Sequence, residues 1–593
     1  MIRKLAGYIG RHKRLMFLQP LLVLVDVTFE LSMPLLMSRI VDIGIANRDV
    51  NYIARIGLNM VLLALAAMLL GIINMWLSIY ASMGFGANLR DALFAKVQQF
   101  SFNNIDYFST GSLITRLTND VNNLQLTVMM GLRILLRAPM MLAIAFVMAY
   151  SINSELSLVL AIAIPVLVLA LATIIRTATR RFSVVQERID ALNSTLQENL
   201  IGQRVVKSFD RAEFETGKFQ GANNALTNAF IRAVSIVIWN MPAMMLVMNV
   251  TTLAILWFGG GMVAIGSLSA GELIGFVSYV FQMMMSVMMI SMVFVLAARS
   301  QASGHRVLEV LETEVDIADK PVPAELAPAP GALAATPAPA AQVSAGRVEF
   351  RDVAFKYSFA ESGEQVLSGI SFAAEAGERV AIVGGTGSGK STLVHLIPRL
   401  YDVSAGAVLV DGRDVRDYPL EALRGAIGVV LQRNTLFSGT IRGNLLWGKQ
   451  DATQEEIESA CRDAQAHDFI LSFPEGYDTL LGQAGVNLSG GQKQRLCIAR
   501  AILKRPRILI MDDATSSVDT ATEALIRESF DQHLAQTTVF IIAQRICSVR
   551  DADRIVVLDD GKVIGVGTHE SLLASNAVYQ EINQSQQEGG LAR

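Results

Sequence analysis

The chain has 593 residues, of which 52% are hydrophobic and 17% are charged, and its formal net charge is −3. The length allows several domains, and the composition is too apolar for an average soluble protein, so we expect membrane segments. The charge argues against a nucleic-acid-binding protein, and the three cysteines, Cys461, Cys497 and Cys547, lack the spacing of a metal site.

Six apolar stretches dominate residues 1–312. Each is long enough to cross a bilayer as a helix, which takes about 20 residues. The outer connections between them lack Lys and Arg, whereas the inner connections, about 83–124 and 179–233, are rich in both. This bias predicts that both chain termini lie in the cytoplasm. The predicted spans are about 15–45, 56–82, 125–151, 155–178, 234–261 and 270–297.

The two inner connections are unusually long and have apolar positions at helical spacing among many charges. We therefore expect the membrane helices to continue into the cytoplasm and to turn there. Short helices are predicted at the two tips, near 102–112 and 208–216, where they would dock on another domain.

Two acidic residues, Asp26 and Glu30, fall in the first predicted membrane helix, four residues apart and therefore on one face. A carboxylate at membrane depth is costly and normally faces a cavity or a partner. One interpretation is attraction of cationic substrates or protons. The other is structural pairing, with Arg39 or with a residue on another helix.

Residues 241–292 are rich in methionine, whose flexible thioether suits surfaces that accept many shapes. Aromatic and amide side chains lie nearby at helical spacing. The alternative is that these residues fill packing or lipid-facing positions. The candidate residues of a substrate cavity are Met244, Met248, Phe276, Tyr279, Gln282 and Met285, together with the two acidic residues.

A Pro/Ala-rich stretch, 313–346, is predicted to be a semi-extended linker. After it, over 347–593, short β-like runs alternate with helix-like runs, the pattern of a mixed α/β domain. The predicted fold class is an all-α membrane domain of six helices at 1–312, followed by an α/β domain with a phosphate-binding loop.

The run RVAIVGGTGSGKST places a glycine-rich loop between a buried-strand pattern and a helix pattern, the context that a phosphate-binding loop requires. Glycines let backbone N–H groups crowd around phosphate oxygens. Lys390 is expected to reach the terminal phosphates of a nucleotide, and Ser391 to ligate Mg²⁺. The predicted loop residues are Gly384, Gly385, Thr386, Gly387, Ser388, Gly389, Lys390, Ser391 and Thr392.

A second motif, NLSGGQKQRLCIAR, opens an amphipathic helix at Ser489, Gly490, Gly491 and Gln492. Free N–H groups at a helix N-terminus make it a second candidate anion site. The phosphate loop and this LSGGQ signature together resemble those of the ATP-binding-cassette (ABC) family. The order of six membrane helices, linker and cassette is similar to that of a half-size exporter of the family.

The resemblance implies a dimer in which each ATP is sandwiched between two cassettes. The signature of one chain would contact the γ-phosphate held by the other. By position, Tyr357 would stack on adenine, while Gln432 and Asp512 would join Ser391 around Mg²⁺.

Three further positions follow from the same resemblance. Asp519 would lie in a loop that crosses the dimer interface. The two cytoplasmic connections would carry coupling helices, near Asn104–Gly111 and Phe209–Phe214.

Two positions depart from the family pattern. Asp513 stands where the family has the Glu that polarises the attacking water, and its side chain is one methylene shorter. Gln544 stands where the family has a His at the γ-phosphate, and an amide can donate a hydrogen bond but cannot carry charge. These substitutions resemble the degenerate-site subunit of heterodimeric bacterial multidrug exporters.

That closer resemblance implies export of hydrophobic or cationic compounds across the bacterial cytoplasmic membrane. It also implies a different partner chain, whose own ATP site does most of the hydrolysis. Two alternatives stay open: a homodimeric exporter of lipid or peptide, and a regulatory or channel-like cassette protein that uses ATP only to gate.

Overall fold

The computed structural model describes residues 1–319, 342–357, 365–514, 518–543 and 545–591. Most of the predicted linker, and Gln544, lie outside these residues. The chain divides into two compact units. The first contains Met1–Gln98 and Gly111–Thr313, and the second contains Gln99–Thr110 and the chain from Glu314 onward.

The first unit is entirely helical where it is described. Its turns Ile40–Ile45, Arg116–Asp120 and Gly131–Leu135 are π-helical, and Ala6–His12 is a 3₁₀ segment. The α-helices are Ile2–Leu5, Lys13–Arg39, Val50–Gln99, Thr110–Thr115, Val121–Met130, Leu136–Ile152, Ser154–Ile201, Gln203–Ser208, Ala212–Ile238, Asn240–Ala264 and Ala270–Glu312.

Six segments of this unit are long and apolar enough to cross a membrane, which confirms the six predicted spans. Val50–Gln99 has 50 residues and therefore a length of about 75 Å at the helical rise of about 1.5 Å per residue. A bilayer core is about 30 Å thick, so this helix continues well beyond it. The segments are Met16–Ile45, Val50–Gln99, Thr110–Ile152, Ser154–Ile201, Ala212–Ala264 and Ala270–Ile290.

The core of the first unit forms where the first, third, fourth, fifth and last membrane helices meet. Tyr279 is fully buried there, and its hydroxyl donates to the carbonyl of Leu31 at 2.8 Å. Phe276 is also fully buried, and Met244 is buried in the same core. This corrects the expectation that these three residues line a substrate cavity. Helical spacing shows which residues share a face, but not what that face packs against.

The two cytoplasmic turns differ from each other. In the first, Phe102–Tyr107 is a short helix capped by Ser101, close to the predicted tip. In the second, the short helix is Gln203–Ser208, and a turn follows it in which Asp210 has φ +51°. The predicted coupling helix at Phe209–Phe214 is therefore corrected, because those residues form the turn and the start of the next helix.

The second unit contains twelve strands in its described part. Short β-rich runs alternate with helices, as the sequence predicts. The strands are β1 Val348–Phe355, β2 Leu367–Ala374, β3 Arg379–Gly384, β4 Ala405–Val410, β5 Arg413–Asp414, β6 Ile427–Val430, β7 Gly439–Thr440, β8 Leu480–Leu481, β9 Ile508–Asp512, β10 Thr538–Ile542, β11 Arg554–Asp559 and β12 Lys562–Gly567.

The main sheet has the order β12-β11-β3-β10-β9-β6. Its strands are parallel except for β12, which pairs antiparallel at one edge. All five residues of β9 are buried, which is typical of a parallel strand covered on both faces. A smaller antiparallel sheet has the order β2-β1-β4-β5, and β7 pairs with β8.

Helices surround these sheets and confirm the predicted α/β class. Three apolar cores lie against the main sheet: one is shared with the small sheet, one with the signature helix and one with the last two helices of the chain. The α-helices of the second unit are Phe102–Tyr107, Lys390–His395, Leu420–Gly425, Ile441–Leu445, Gln454–Asp463, His467–Leu471, Gly490–Leu503, Thr520–His533, His569–Ser575 and Ala577–Leu591.

Candidate functional site

Four neighbouring strands, β3, β10, β9 and β6, end at the same edge of the main sheet. Each is followed by a residue singled out from the sequence. The phosphate loop follows β3, position 544 follows β10, Asp513 follows β9, and Gln432 follows β6. Ligands of parallel α/β sheets bind outside the carboxyl ends of the strands. Among the described residues, the topology thus places the phosphate loop, Asp513 and Gln432 at one edge, the candidate site.

The phosphate loop has the backbone geometry that its glycines allow. Gly387 and Gly389 have φ of +85° and +93°, values that other residues rarely adopt. A Cβ on Gly384 would lie 2.0 Å from the carbonyl oxygen of Leu558, so a side chain there would clash with backbone. The helix Lys390–His395 starts directly after the loop.

The ammonium group of Lys390 lies over this loop. It donates to the carbonyls of Gly384 and Gly385 at 3.0 and 2.6 Å. Burial lowers the pKa of Lys390, while the charges of Asp512 and Asp513 act in the opposite direction. A cation held beside a loop of N–H donors can bind the terminal phosphates of a nucleotide.

Asp512 ends β9 and is almost fully buried. The hydroxyl of Ser391 donates to its carboxylate at 2.8 Å, and Nε2 of His395 lies 3.6 Å from the other carboxylate oxygen. Burial raises the pKa of Asp512. A hydroxyl and a carboxylate side by side are hard oxygen ligands of the kind that Mg²⁺ prefers.

The third residue predicted to hold the ion follows β6, the strand that pairs with β9. Gln432 is exposed, and within the described residues it makes no hydrogen bond to Ser391 or Asp512. The described residues also contain no cluster of three or more His, Cys, Asp or Glu that could hold a metal by itself. The donor set therefore fits an ion that keeps water or phosphate oxygens as its other ligands.

Asp513 is held by its backbone on both sides. Its N–H donates to the carbonyl of Ile542 at 3.1 Å, and its carbonyl accepts from the buried amide of Gln494 at 3.1 Å. Its φ of +51° is left-handed, a conformation that Asp tolerates better than most residues. These bonds fix the backbone from which the carboxylate extends, and Asp has one methylene fewer than Glu to extend it.

An aromatic and polar cluster connects the candidate site to the first cytoplasmic turn, within the second unit. The Tyr357 hydroxyl lies 2.8 Å from Oγ1 of Thr392, and its ring meets that of Tyr401 edge-on at 5.4 Å. The Tyr401 hydroxyl donates to Asp106 at 2.6 Å, and burial raises its pKa. The His395 ring stacks on Tyr401, at a centroid distance of 6.5 Å.

Ser489 is the N-cap of the signature helix Gly490–Leu503. Its hydroxyl accepts from the N–H of Gln492 at 3.3 Å, and the Gln492 side chain accepts from the Ser489 N–H at 2.9 Å. This capping box occupies the N–H groups of Ser489 and Gln492, while Gly490, the first residue of the helix, is exposed. The geometry suits an anion supplied from outside the chain.

Asp519 caps the next helix, Thr520–His533. Its carboxylate accepts from the N–H and the hydroxyl of Thr522 at 3.0 and 2.8 Å, and these bonds lower its pKa. Residues 515–517 lie outside the described part of the chain, so the loop that Asp519 ends is described only at its carboxyl side.

In the membrane unit, Asp26 and Glu30 both form ion pairs with Arg137 of the third membrane helix. This is the structural pairing that the sequence left open, with a partner on another helix rather than Arg39. One guanidinium thus pairs with both carboxylates, and the three side chains keep one net negative charge.

A cavity of about 580 Å³ lies beside this ion-pair group. Of the residues predicted to form a substrate cavity, Asp26 lines it, while Met248 packs against the core and Met285 is 37% exposed. Gln282 does not line it either, although its side-chain oxygen is buried without a hydrogen-bond partner among the described residues.

Three residues of these sites were not singled out from the sequence: Arg137, Tyr401 and His395. Arg137 had a detectable signal, because it is a cation inside a predicted membrane span. Tyr401 and His395 had none, since their contacts to Asp106 and Asp512 join residues that are far apart in the chain.

Two family models match the chain. The model described as the ABC transporter transmembrane region matches residues 16–287. The model described as ABC transporter matches residues 367–516, which include the phosphate loop, the signature and the end of β9.

Similar proteins cover most of the chain. The ABC transporter ATP-binding protein YfiB of Bacillus subtilis (strain 168) is 39% identical over 583 residues, 97% of this chain and 98% of the relative. The ATP-dependent lipid A-core flippase of Syntrophus aciditrophicus (strain SB) is 35% identical over 501 residues, 84% of this chain and 80% of the relative.

A solved structure of a bacterial Atm1-family ABC exporter with ATP bound superposes with a TM-score of 0.79. It is 26% identical in sequence, and the match covers 97% of this chain and 99% of the other. The similarity therefore extends over both units and not only over the cassette.

Proposed function

Because the chain belongs to the ABC transporter family, as an exporter half-transporter with an ATP-hydrolysing cassette, we propose that it forms one half of a two-chain exporter with unequal ATP sites. A half-transporter of this family must pair with another chain. In this proposal the chain holds ATP at its own weak site, and its signature completes the working site of a different partner.

The observation that carries the proposal is the backbone of Asp513, held by Ile542 on one side and Gln494 on the other. With the backbone fixed, the missing methylene withdraws the carboxylate by about 1–1.5 Å from where Glu would place it. A misplacement of about 1 Å can lower a catalytic rate about a hundredfold. The substitution at Gln544, outside the described residues, supports the same conclusion, because an amide cannot change its charge.

The signature supports the other part of the proposal, namely that this chain completes the ATP site of its partner. Its LSGGQ motif is complete, and the capping box between Ser489 and Gln492 leaves the helix N-terminus ready for an anion. In the pairing proposed here, that anion is the γ-phosphate held by the partner cassette.

Ser391 and Asp512 would hold Mg²⁺ beside the phosphate loop. When bound, the ion would neutralise charge on the β- and γ-phosphates. Lys390 would exchange its contacts with the loop carbonyls for contacts with the same phosphates, and Tyr357 would offer its ring to adenine.

Transport follows if closure of the cassettes around ATP changes the membrane helices. The first cytoplasmic turn supports such coupling, because Asp106 is hydrogen-bonded to Tyr401 of the cassette unit. The second turn exposes large apolar side chains, Phe209 and Phe214, which suit contact with another chain. ATP can drive the change only through a higher affinity for the closed state.

The proposed substrates are hydrophobic compounds exported across a bacterial cytoplasmic membrane, with the cassette on the cytoplasmic side. A specific preference for cations rests only on the one net negative charge that remains on Asp26, Glu30 and Arg137, because Arg137 pairs with both carboxylates. A second candidate function is a homodimeric lipid exporter, which the similarity to the lipid A-core flippase favours.

The two candidate functions differ in which chains form the complex, and one experiment identifies those chains. The tagged full-length chain is extracted from membranes of its native host, and the co-purifying chains are identified by mass spectrometry. An equimolar second half-transporter with Glu and His at the two variant positions is expected. A complex that contains only copies of this chain would contradict the heterodimer and favour the lipid exporter.

A further inference from the structure

Four arginines lie where two long helices leave the membrane on the cytoplasmic side. They belong to the helices Ser154–Ile201 and Ala212–Ile238, which pack against each other. Residues 156–186 and 216–271 contain no Asp or Glu, so the positive charge is not balanced along either helix. The arginines are Arg176, Arg180, Arg181 and Arg232.

The length of the first helix places Arg176 at the level of the lipid headgroups. Residues 156–175 carry no charge, and they extend over about 30 Å at the helical rise of about 1.5 Å per residue. A bilayer core is about 30 Å thick, and a headgroup layer of about 5–8 Å follows it on each side. Arg180 and Arg181 lie about one turn further along the helix, from where an arginine side chain can reach back to that layer.

The second helix brings Arg232 to the same level. The rings of Phe182 and Phe230 meet edge-on at a centroid distance of 6.4 Å. The two helices run in opposite directions, so the position two residues after Phe230 is level with the position two residues before Phe182. Arg232 therefore lies level with Arg180.

The side chains of these arginines are available to a ligand. Each arginine is exposed, and none of the four forms an ion pair with another described residue. The ion pair that the two helices do form, between Lys218 and Glu198 at 2.6 Å, lies deeper in the cytoplasm. A guanidinium presents its N–H donors in a planar fork, which matches the oxygens of a phosphate.

Apolar stripes lead from the arginines into the membrane. Leu169 precedes Arg176 by seven residues, which is about two helical turns and keeps both on one face. Trp239 and Leu246 follow Arg232 at the same interval, and all three apolar side chains are largely exposed. Each stripe thus offers apolar surface at the depth of acyl chains and a guanidinium at the depth of phosphates.

We propose that this surface binds an anionic phospholipid of the cytoplasmic leaflet, with its phosphate at the arginines and its acyl chains along the apolar stripes. Clusters of about four or more Lys and Arg directly beside a membrane helix attract anionic headgroups. A zwitterionic lipid carries a compensating positive charge, so it gains less from the same arginines. The inference concerns a lipid that stays beside the exporter, and it does not depend on the exported compound or on the identity of the partner chain.

The test measures which lipid lies beside Trp239, about 10 Å along the helix from Arg232. Trp76, Trp257 and Trp447 are replaced by Phe, and the full-length chain is reconstituted without nucleotide in bilayers of phosphatidylcholine. Dibrominated phosphatidylglycerol or dibrominated phosphatidylcholine, which quench tryptophan on contact, is added at equal fractions. We expect phosphatidylglycerol to bind at least about threefold more tightly beside Trp239. Equal quenching by the two lipids would overturn the proposal.

A second single-tryptophan chain shows whether the preference is local. It retains Trp257, which is exposed in the outer half of the same membrane segment. Residues 233–298 contain no Lys or Arg, so the two lipids should quench Trp257 equally. The same preference for phosphatidylglycerol beside Trp257 would show a general attraction to the chain and would contradict the assigned site.

Variants of the Trp239 chain show whether the arginines are responsible. The test variant replaces all four by Gln and should lose the preference; if it keeps the preference, the proposal is wrong. The control variant replaces four exposed cationic residues deeper in the cytoplasm and should keep the preference. An equal loss in the control would mean that net charge, rather than this surface, selects the lipid. The control substitutions are Arg188→Gln, Arg204→Gln, Lys207→Gln and Arg211→Gln.

Two further measurements keep the result interpretable. If the fourfold variant does not fold, two double variants take its place, Arg176→Gln with Arg180→Gln and Arg181→Gln with Arg232→Gln. At least one of them should lower the preference, and no change in either would refute the assignment. ATP hydrolysis by the two-chain complex is measured separately, and its absence would count against the exporter proposal alone.

Discussion

A single methylene group separates Asp from Glu, and at position 513 the surrounding contacts prevent the backbone from compensating for it. The N–H of Asp513 donates to Ile542, and its carbonyl accepts from the buried Gln494. A water molecule positioned for attack on a phosphate needs its base within about 3 Å. The length of the side chain at position 513 therefore determines, in this proposal, whether the site hydrolyses ATP or mainly holds it.

We expect Asp513→Glu, combined with Gln544→His, to increase ATP hydrolysis by the isolated chain, by up to about a hundredfold. The longer carboxylate would reach the attacking water, and the imidazole would add a group that can carry charge. Steady-state phosphate release at saturating Mg-ATP measures the effect. Asp513→Asn is the control, and it should give no gain. No gain in the double variant would show that these two positions do not limit the site.

Ser489 offers a second test, because the same kind of capping box occurs elsewhere in the cassette. Ser489→Ala and Thr453→Ala each remove an N-cap hydroxyl, and each should cost about 1 kcal/mol of stability. Only Ser489→Ala should also lower ATP hydrolysis by the two-chain complex, by about tenfold or more. Thermal unfolding and phosphate release are measured on both. Equal losses of hydrolysis would argue against a phosphate contact at the signature.

At the scale of elements, the short helix Phe102–Tyr107 is tied to the cassette unit by polar contacts. The hydroxyl of Tyr401 donates to Asp106 at 2.6 Å, and the side chain of Asn103 donates to Asp316 at 2.9 Å. The ring of Phe102 meets that of Tyr401 at 5.9 Å. A hydrogen bond to a charged group contributes about 1.5–3 kcal/mol. Tyr401 combines such a bond with ring packing, so it is the residue of this connection chosen for a test.

We expect Tyr401→Phe to reduce the number of substrate molecules transported per ATP hydrolysed. The ring packing would remain, while the bond to Asp106 would be lost. Transport and hydrolysis are measured together in proteoliposomes, with Tyr150→Phe, at an exposed position of a membrane helix, as the matched control. An unchanged ratio in Tyr401→Phe would mean that the Asp106 bond does not couple the two processes.

The ion-pair group of Asp26, Glu30 and Arg137 joins the first and third membrane helices. Removing one partner of a buried pair leaves a charge uncompensated, whereas replacing the whole group by apolar or neutral residues is often tolerated. Arg137→Met should therefore lower the melting temperature clearly. The triple variant Asp26→Asn, Glu30→Gln, Arg137→Met should recover most of the loss. A triple variant less stable than Arg137→Met would contradict this account.

Local motifs explain what the sequence could predict about these elements. The phosphate loop, Asp512 and the signature each occupy a short run whose strand or helix is visible in the residues themselves. Tyr279 could not be assigned in this way, because its spacing fits a cavity wall and a packed core equally well. Arg137 and Asp26 are 111 residues apart, and only the tertiary structure brings them together.

At the scale of the whole molecule, the proposed exporter divides ATP binding and ATP hydrolysis between two chains. In the proposed pairing, this chain supplies a complete signature, and its partner supplies the Glu and His that stand as Asp513 and Gln544 here. Binding of ATP at both sites would favour closure, while hydrolysis at one site would reset the exporter. In an exporter with two equivalent ATP sites, either site could hydrolyse ATP, and no such division would be needed.

The most direct test is the steady-state rate of Mg-ATP hydrolysis by the wild-type chain purified alone in lipid nanodiscs, compared with the rate of the complex isolated from native membranes. The account predicts that the lone chain binds ATP but turns it over about a hundredfold more slowly than the complex. If the lone chain hydrolyses ATP as fast as the complex does, the two sites are equivalent and the proposed division of labour is wrong.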